Sequence, residues 1–374
     1  MKIAMTLLSG VYYGGATIFN NLIPALVAAD SKNEYHLFVP EGHPFINQVK
    51  QKNFIFHECV GRNQSVLKRF LWEQLILPRE LKKYKVDVLF MAKNINILLA
   101  RCKTIIALQN MEPLAYREYD NDWKLNVASW IKWHLNKWSV RKADYIVAVS
   151  QAVKDRAIRC FPGIEKKVSV VYNGNPVPSS QATRNSSLQR MGGGGQEPFI
   201  LTASKFVAYA NQLNLVKAYQ CLCEKNPNTP PLWFAGGVHD KKYFEKVQNF
   251  VDNNGLKERV KFLGLVPQDR LFELMRQAQV FVFPSTLEAC PHTPIEAMSC
   301  GAPIAASSTP PMPEICKDAA IYFDPSNPDD IARVIEQLLT EEKKRDELRA
   351  RGPVRAQFFN WNKTAKALMD IFKL

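Results

Sequence analysis

The chain is predicted to be an α/β protein made of two Rossmann-like domains that face a common cleft. Two observations lead to this prediction. Apolar runs of strand length alternate with amphipathic runs of helix length, and the alternation restarts after a polar, glycine-containing stretch in the middle of the chain. The 374 residues suffice for two domains, each with its own hydrophobic core.

The expected domain boundaries follow from that polar stretch. We expect a first domain at 1–178 and a linker at 179–197, which contains the glycine run 192–195. A second domain is expected at 198–358, followed by a C-terminal helical segment at 359–374.

Both halves show the same order of elements. In the first half, strands are predicted at 2–8, 35–39, 54–60, 86–91, 104–108, 145–150 and 168–172. Helices are predicted there at 16–29, 65–83 and 123–142, and from residue 152 with Ser150 as its cap. In the second half, strands are predicted at 199–203, 232–235, 260–263 and 280–283. Helices are predicted there at 212–223, 241–253, 268–277, 329–338, 341–350 and 364–372.

The stretch 281–301 carries the strongest functional signal. A buried strand ends at a proline, and a loop leads to a helix for which Thr293 is the expected N-cap. Thr293 and Glu296 form a predicted capping box, and Gly301 ends the helix. A helix N-terminus at the carboxyl end of a strand suits an anion such as a diphosphate. Local chemistry leaves two interpretations open: a ligand site, or a helix cap preceded by a solvated loop acid, Glu288.

The two acids resemble a known signature. Glu288 and Glu296 lie eight positions apart, between the strand sequence Phe-Val-Phe-Pro-Ser and the helix sequence Glu-Ala-Met-Ser-Cys-Gly-Ala-Pro. This pattern resembles the E-x7-E signature of family-4 retaining glycosyltransferases, which are nucleotide-sugar enzymes of the GT-B fold. The flanking sequences make the match more specific than two spaced glutamates would be.

The resemblance implies roles for this stretch. Glu288, a candidate catalytic residue, would bind hydroxyls of the donor hexose, and Glu296 would bind those of the ribose. Donor contacts are also implied for the loop residues Cys290, Pro291, His292 and Thr293. Pro291 has no N–H group, which lowers the number of amides available to a phosphate. His292 is interpreted either as a sugar contact or as incidental.

The resemblance also implies a basic pair after the first strand of the second domain, an arginine followed five residues later by a lysine. This chain has Ser204-Lys205 and then Ala210 at those positions. Lys205 keeps a point charge without the bidentate geometry of arginine. Three explanations of Ala210 stay open: an inactivating substitution, recruitment of another cation such as Lys217, or donor binding without turnover. Gly236, after the next strand, is a further candidate donor contact.

In the first domain, four residues are candidate contacts. Gly14 and Gly15 lie at the expected turn from the first strand to the first helix, and the resemblance implies that they face the donor phosphates and the acceptor. Gln109 and Asn110 stand where many family members have a histidine. Because an amide binds a sugar but takes up no proton, we expect sugar or acceptor contacts there and no general base. The resemblance also implies that the last helix crosses back to the first domain.

The net charge of +14 is unevenly distributed. Residues 1–178 contain 25 Lys or Arg and 14 Asp or Glu, whereas residues 179–374 contain 24 and 21. The basic first half is interpreted as a contact surface for an anionic membrane, a phosphorylated acceptor or nucleic acid, or as an aid to solubility. Because no known nucleic-acid-binding motif is present, we expect no nucleic-acid partner.

The predicted helix 123–142 interleaves four tryptophans with five lysines or arginines. It is interpreted as a membrane-interface helix or as a helix that buries its tryptophans in the domain core, and the second is favoured. Asp120 and Asp122 form a D-x-D pattern in the wrong domain for a family metal site, so we expect turn chemistry and no metal. The eight scattered cysteines are typical of a reducing cytosol.

The resemblance, taken with these features, implies a retaining hexosyltransferase that uses a nucleotide-diphosphate sugar, such as UDP- or GDP-hexose. The expected acceptor is a glycan or lipid-linked glycan of cell-surface polysaccharide biosynthesis. We expect a cytoplasmic enzyme, peripheral on the inner face of the membrane. The resemblance implies that it needs no cofactor or metal and that it follows a front-face mechanism. The alternatives are a soluble transferase acting on a small molecule or protein, and an inactivated or non-catalytic nucleotide-sugar binder.

Overall fold

The computed structural model of this chain describes residues 1–8, 13–60, 65–115, 123–177 and 197–374. These residues form two compact units. The first unit comprises Met1–Gly174 together with Asn360–Leu374, and the second comprises Asn175–Phe359. The predicted linker at 179–197 lies outside the described residues except for its last position, and so do Asp120 and Asp122.

Within the described ranges, the first unit contains a parallel sheet of seven strands. They are β1 (Lys2–Thr6), β2 (Glu34–Pro40), β3 (Phe54–Val60), β4 (Val88–Met91), β5 (Lys103–Leu108), β6 (Tyr145–Ala148) and β7 (Val168–Val170). Their order across the sheet is β3-β2-β1-β4-β5-β6-β7. The order reverses between β1 and β4, which is the edge at which Rossmann-like domains hold ligands.

The helices of the first unit cover both faces of this sheet. In the described ranges they are Tyr13–Ala29, Phe45–Gln48, Val66–Leu71, Leu77–Lys83, Trp123–Lys142, Gln151–Cys160 and Trp361–Lys373. The hydroxyl of Ser150 caps the helix Gln151–Cys160 by accepting from the Val153 N–H, as predicted. The predicted continuous helix 65–83 is interrupted by a π-helical turn at Trp72–Ile76.

The last helix, Trp361–Lys373, packs on the core of the first unit beside the helix Tyr13–Ala29. The Thr364 hydroxyl donates to the Tyr172 carbonyl at 2.8 Å. A Cβ atom on Gly174 would lie 2.4 Å from Cγ of Trp361. Glycine at position 174 is therefore required for the close contact between this helix and the end of the first segment.

The second unit contains a parallel sheet of six strands. They are β8 (Ile200–Ala203), β9 (Leu232–Ala235), β10 (Val260–Gly264), β11 (Val280–Phe283), β12 (Ile304–Ser307) and β13 (Ala320–Phe323). Their order is β10-β9-β8-β11-β12-β13, so the reversal lies between β8 and β11. The strands β12 and β13 were not predicted. The sequence of β12, Ile-Ala-Ala-Ser, carries little strand preference of its own, whereas that of β13, Ala-Ile-Tyr-Phe, does favour a strand.

The helices of the second unit flank this sheet. They are Gln212–Lys225, Lys241–Asn253, Gln268–Gln277, His292–Ser299, Met312–Cys316, Pro328–Thr340 and Glu342–Ala356. All eight cysteines are free thiols. Among the described residues, every helix is too short or too polar to span a lipid bilayer.

The helix Trp123–Lys142 does not bury its tryptophans in the way the favoured interpretation expected. Trp130 and Trp138 are 52% and 62% exposed. Trp133 is half-buried, and the Lys137 ammonium lies 5.0 Å from its ring centroid. The core interpretation is therefore wrong for Trp130 and Trp138, while the side chain of Trp123 lies outside the described residues.

Candidate active site

The second unit brings most of the predicted site residues to one edge of its sheet. The strands β8 and β11 are neighbours at the reversal of strand order. Ser204 and Lys205 directly follow β8, and Glu288 lies in the loop that follows β11. That loop leads to the helix His292–Ser299, which carries Glu296. Open α/β sheets bind their ligands at this edge.

The loop after β8 is held rigidly by its neighbours. The buried Gln212 side chain donates through Nε2 to the Ser204 hydroxyl and to the Lys205 carbonyl, both at 2.9 Å. The Ser204 N–H donates to the Ala235 carbonyl at 3.0 Å. Gly236 has φ +151°, and a Cβ atom there would lie 1.9 Å from the Ser204 carbonyl oxygen. Only glycine permits this close approach, which fixes the main chain at Lys205.

Lys205 is the cation that sequence reasoning placed in this loop. Its ammonium lies 5.5 Å from the ring centroid of Tyr209, within the range of a cation–π contact. Ala210 is 2% exposed and lies in a short 3-10 turn in which its N–H donates to the Val207 carbonyl at 3.0 Å. Lys217 is partly exposed in the second turn of the following helix.

Several hydrogen bonds join the loop after β8 to the loop after β11. The Tyr209 carbonyl accepts from the Thr286 N–H at 2.8 Å. The Asn211 side chain donates through Nδ2 to the Pro284 carbonyl at 3.2 Å. Asn211 adopts a left-handed conformation with φ 61°, which asparagine tolerates better than most residues. The two loops therefore form one connected surface, an arrangement that the sequence did not reveal.

Glu288 is oriented by its own loop. Its Oε1 accepts a hydrogen bond of 2.8 Å from the Ser285 hydroxyl. Ser285 is buried, whereas Glu288 is half-buried. The carboxylate is thus held in place on a residue that stays partly exposed, as a ligand-binding acid requires.

The helix that carries Glu296 begins earlier than predicted. It spans His292–Ser299, with Pro291 at the N-cap position and no side-chain cap. Thr293 therefore lies inside the first turn, and the predicted capping box is wrong. Pro294 fits at the third helical position because N–H groups of the first turn have no acceptor within the helix. The predicted end is right, since Gly301 has φ 70° just after the helix.

Glu296 lies in the second turn of this helix and is 7% exposed. Desolvation raises the pKa of its carboxyl group to about 7, and a hydrogen bond with Gln268 opposes this rise. A capping role is excluded by its position. A buried acid with a raised pKa at a ligand-binding edge is typical of functional sites.

The other predicted residues of this loop differ in exposure. Cys290 and Pro291 are buried, and Thr293 is partly exposed. His292 is partly exposed as a residue, but its Nε2 is shielded from solvent. Desolvation lowers the pKa of His292 to about 4, so its ring is neutral at pH 7. It therefore adds hydrogen-bonding capacity and no charge.

In the first unit, Gln109 and Asn110 directly follow β5. Their main-chain N–H groups both donate to Oδ1 of Asn94 at 2.9 Å, and Nδ2 of Asn94 donates to the Asn110 carbonyl at 2.7 Å. The Gln109 side-chain amide pairs with that of Asn173, which donates through Nδ2 to Oε1 of Gln109 at 3.0 Å. Both predicted positions are thus held in a fixed amide network.

Gly14 and Gly15 form the first turn of the helix Tyr13–Ala29. The prediction placed them in the turn before that helix, and it is wrong because the helix begins three residues earlier than expected. What surrounds these two glycines lies outside the described residues.

The structure adds a buried ion pair that sequence reasoning missed, at the reversal between β1 and β4. Glu73 is 2% exposed and pairs through Oε2 with the Lys93 ammonium. The Thr6 hydroxyl, at the end of β1, lies 3.4 Å from Oε1 of Glu73. Arg69, one turn before Glu73, donates through Nη1 to the Leu8 carbonyl at 2.7 Å. The π-helical turn at Trp72–Ile76, which has no simple sequence signal, directs Glu73 inward.

Comparison with known proteins bears on both halves of the chain. Residues 12–176 match the family model described as Glycosyltransferase Family 4. Residues 186–355 match the model described as Glycosyl transferases group 1.

The matching curated relatives include mannosyltransferases and another glycosyltransferase. O-antigen chain mannosyltransferase B of Escherichia coli is 28% identical over 242 residues, which are 63% of this chain and 62% of that protein. The serotype-specific mannosyltransferase WbdA of Escherichia coli is 28% identical over 276 residues, 72% of this chain and 33% of that protein. D-inositol 3-phosphate glycosyltransferase of Thermobifida fusca is 24% identical over 242 residues, 63% of this chain and 56% of that protein. The matches thus span less than two thirds of each relative.

Solved structures share the fold. Sucrose-phosphate synthase from Thermosynechococcus elongatus has a TM-score of 0.75 at 18% identity and covers 100% of this chain and 98% of its own. HepE from Anabaena, in complex with UDP, has a TM-score of 0.72 at 18% identity and covers 100% of both chains. WaaG, a glycosyltransferase involved in lipopolysaccharide biosynthesis, has a TM-score of 0.72 at 12% identity and covers 100% of this chain and 99% of its own. On these matches and its two Rossmann-like units, the chain belongs to glycosyltransferase family 4 and has the GT-B fold.

Proposed function

We propose that this chain transfers a hexose, with retention of anomeric configuration, from a nucleotide-diphosphate sugar to a glycan or lipid-linked acceptor of a cell-surface polysaccharide. The observation that carries the proposal is the buried Glu296 beside the connected loops of Lys205 and Glu288. O-antigen mannosyltransferases among the relatives, and the UDP in the HepE complex, support this acceptor class and this donor class.

Each acid in the second unit has a separate role in this proposal. Glu288 accepts hydrogen bonds from hydroxyls of the donor hexose, because Ser285 already orients its carboxylate. Glu296 accepts from the ribose hydroxyls. Binding of two hydroxyl donors favours the ionised carboxylate, so donor binding lowers the pKa of Glu296 from about 7. Main-chain amides at Cys290, His292 and Thr293 face the phosphates and the sugar, together with Ser204 and Gly236.

Negative charge grows on the β-phosphate of the donor as its bond to the sugar breaks. A preorganised cation or N–H donor at that oxygen typically lowers the barrier by about 3–4 kcal/mol. Lys205 supplies the cation in this chain, fixed at its main chain by Gln212. The step needs no metal in this proposal, since the cation and the loop amides take the charge.

The proposed route is a front-face transfer. Gln109 and Asn110 contact the sugar or the acceptor, and neither amide takes up a proton. The donor phosphate therefore receives the proton of the acceptor hydroxyl. The anomeric configuration of the product tests this route, and an inverted product would refute it.

A nucleotide-sugar panel tests the proposed donor class. Thermal unfolding is measured with UDP, GDP and their hexose derivatives, with Glu288→Gln as the site variant and the exposed Glu258→Gln as the matched control. A productive donor should raise the melting temperature of the wild type and of Glu258→Gln but raise that of Glu288→Gln far less. Failure of every nucleotide to stabilise the wild type would contradict the proposal.

Two alternatives to this proposal rest on the alanine at position 210. A non-catalytic nucleotide-sugar binder, or an inactivated transferase, is suggested by Ala210, where the family has lysine. We expect Ala210→Lys to raise the transfer rate about a hundredfold or more if a missing cation limits catalysis. Although Ala210 is buried, a lysine stem can pack along apolar surface and bring its ammonium to the site. No gain in rate would favour Lys217 as the second cation, or binding without turnover.

The proposed working place is the cytoplasmic face of an anionic membrane, reached through the basic first unit as a peripheral contact. The alternative is a soluble enzyme that glycosylates a small molecule or a protein. The exposed Trp130 and Trp138 on a cationic helix favour the membrane.

A further inference from the structure

Three segments of the first unit form one layer on its sheet. They are residues 66–83, the loop 92–102 and the helix 123–142, and we call this layer the basic face. The connections from β3 to β4 and from β5 to β6 step in the same direction across the sheet, so right-handed crossovers place both on the same side.

Hydrogen bonds link the three segments directly. Gln74 donates through Nε2 to the Asn96 carbonyl, and its Oε1 accepts from the Leu98 N–H, both at 3.0 Å. The Asn96 N–H donates to the Ser139 hydroxyl oxygen at 3.0 Å. Gln74, Asn96 and Ser139 are all buried, so these bonds form a shared floor beneath the outer side chains. The basic face is therefore a continuous structural surface.

The exposed apolar side chains of the first unit are concentrated on this face. Among the described residues of that unit, all of its exposed large apolar side chains lie there except the chain ends Met1 and Leu374. Those on the face are Val66, Leu67, Leu71, Leu75, Ile76, Leu99, Trp130, Ile131 and Trp138, between 38% and 73% exposed. Scattered single apolar residues are normal on a protein surface, but a concentration on one layer marks an interaction site.

The excess positive charge of residues 1–178 is also concentrated on the basic face. The three segments contain twelve Lys or Arg and two Glu, whereas the rest of residues 1–178 contains thirteen Lys or Arg and twelve Asp or Glu. Both acids of the face have cationic partners, Glu73 with Lys93 and Glu80 with Lys83. Solubility does not explain this pattern, since it would not require the charges and the apolar side chains to share one layer.

We propose that the basic face docks on an anionic lipid surface, with its leucines and tryptophans inserted at headgroup level and its lysines and arginines against the lipid phosphates. This inference rests on the proposed membrane-bound acceptor and assigns the residues that reach the membrane. Tryptophan and leucine favour the interface, and each cation near an anionic surface adds to binding. Residues 66–83 contribute aliphatic side chains, and the helix 123–142 contributes the aromatic ones.

Charge and side-chain type argue against other occupants. A second copy would bring two strongly positive surfaces together, which repels. Nucleic acid would use the cations but would leave Leu67, Leu71 and Leu75 exposed, since recognition of nucleic acid relies on phosphate contacts and base stacking.

Vesicle flotation of the full chain tests the inference. The probes are phosphatidylcholine vesicles with and without about one third phosphatidylglycerol, at physiological and at high salt. The wild type should float only with the anionic vesicles and less so at high salt. A variant with Leu71→Ser, Leu75→Ser and Trp138→Ser should bind the anionic vesicles at least about tenfold more weakly, because it loses three inserting side chains.

Matched controls separate the face from general surface changes. Leu265→Ser with Val354→Ser alters exposed apolar residues of the second unit, and Lys50→Gln with Lys52→Gln removes charge from the first unit outside the face. Both controls should float like the wild type. Lys132→Gln with Arg141→Gln should float less with the anionic vesicles, because it removes two cations from the basic face. Equal flotation of face and control variants would overturn the inference. It would also be overturned if the wild type bound no vesicles but formed a dimer that the face substitutions dissociate.

Nucleotide-induced stabilisation, measured on the same proteins, keeps the two proposals apart. A chain that a nucleotide sugar stabilises but that ignores anionic vesicles would overturn the docking surface and leave the transferase proposal intact. A chain that floats with anionic vesicles but that no nucleotide stabilises would contradict the proposed donor and leave the docking surface intact.

Discussion

The two units share a strand order but balance charge differently at the edge where that order reverses. At the edge between β1 and β4, the buried Glu73 has a cationic partner, Lys93. At the edge between β8 and β11, neutral contacts of Tyr209 and Asn211 join the two loops, and the buried Glu296 accepts from the Gln268 amide rather than from a cation. The same fold thus contains one acid that is neutralised internally and one that is not.

This difference indicates what each edge is prepared to bind. A buried carboxylate with a cationic partner is stable without a ligand, and it orders the surrounding loops. A buried carboxylate without one keeps its proton up to about pH 7 and gains by meeting hydroxyl donors. The edge of the second unit is therefore the one whose electrostatics improve on ligand binding, which supports the donor site proposed there.

The largest expected effect comes from breaking the ion pair of the first unit. Glu73→Gln leaves the Lys93 ammonium without its partner, and we expect the free energy of unfolding to fall by about 3 kcal/mol, the low end for a buried pair because Lys93 keeps some exposure. Denaturant unfolding measures this loss. Glu80→Gln, which removes the half of the exposed pair with Lys83, is the control and should change little. Equal losses in the two variants would contradict the comparison.

The matching substitution in the second unit should act in the opposite direction. The pKa of Glu296 is raised from 4.5 to about 7, so between these values the folded state holds a proton that the unfolded state has lost. Stability therefore falls as pH rises through this window, by up to roughly 3 kcal/mol. We expect Glu296→Gln to stabilise the ligand-free protein above about pH 7 and to have little effect near pH 5. Calorimetric melting temperatures at the two pH values measure this.

The same variant should bind the donor more weakly. A carboxylate that accepts from two ribose hydroxyls contributes roughly 1.5–3 kcal/mol, so we expect the affinity of Glu296→Gln for the nucleotide to fall about tenfold to a hundredfold. Isothermal titration measures this. A variant that is stabilised at high pH but keeps its affinity would leave Glu296 as a buried acid without a role in donor binding.

Sequence patterns predicted those features that depend on local chemistry. Most strands were found because parallel strands are buried on both faces and read as continuous apolar runs. The loop position of Glu288 and the helical position of Glu296 agree with the prediction from the sequence, and so does the cap Ser150. The strand β12 was missed because Ile-Ala-Ala-Ser has little strand preference apart from the sheet that accepts it, whereas the Ile-Tyr-Phe run of β13 is a strand signal that the predictions omitted.

Other features depend on contacts between distant parts of the chain and were not predictable. Nothing in the local sequence indicates that the side-chain amide of Asn211 donates to the Pro284 carbonyl of the loop after β11, seventy-three positions away. Glu73 reads as an ordinary acid on an amphipathic helix until the π-helical turn directs it to Lys93. The sequence pattern favours Pro294 as the first residue of its helix, whereas the helix begins at His292, because proline fits anywhere in the first turn.

The smallest expected effect tests whether the two units respond to pH in opposite directions. His57, in the middle of β3 in the first unit, has its pKa lowered to about 4 by desolvation and by His36, whose Nδ1 lies 2.9 Å from Nε2 of His57. Lys83 adds to this lowering, and Glu80 opposes it. As pH falls from 6.5 to about 4, the unfolded state takes up a proton that the folded state does not, so stability is lost toward acid.

Because the ring of His57 is only half-buried, we expect the loss over this window to be about 1 kcal/mol. His57→Gln should flatten the acid side of the stability profile, and Glu296→Gln should flatten its neutral side. The exposed His239→Gln in the second unit is the matched control and should leave both sides unchanged. Denaturant unfolding at steps of pH measures the three profiles. A profile of His57→Gln that falls toward acid as steeply as that of the wild type would show that the acid sensitivity arises elsewhere, and the contrast between the units would then rest on the two buried glutamates alone.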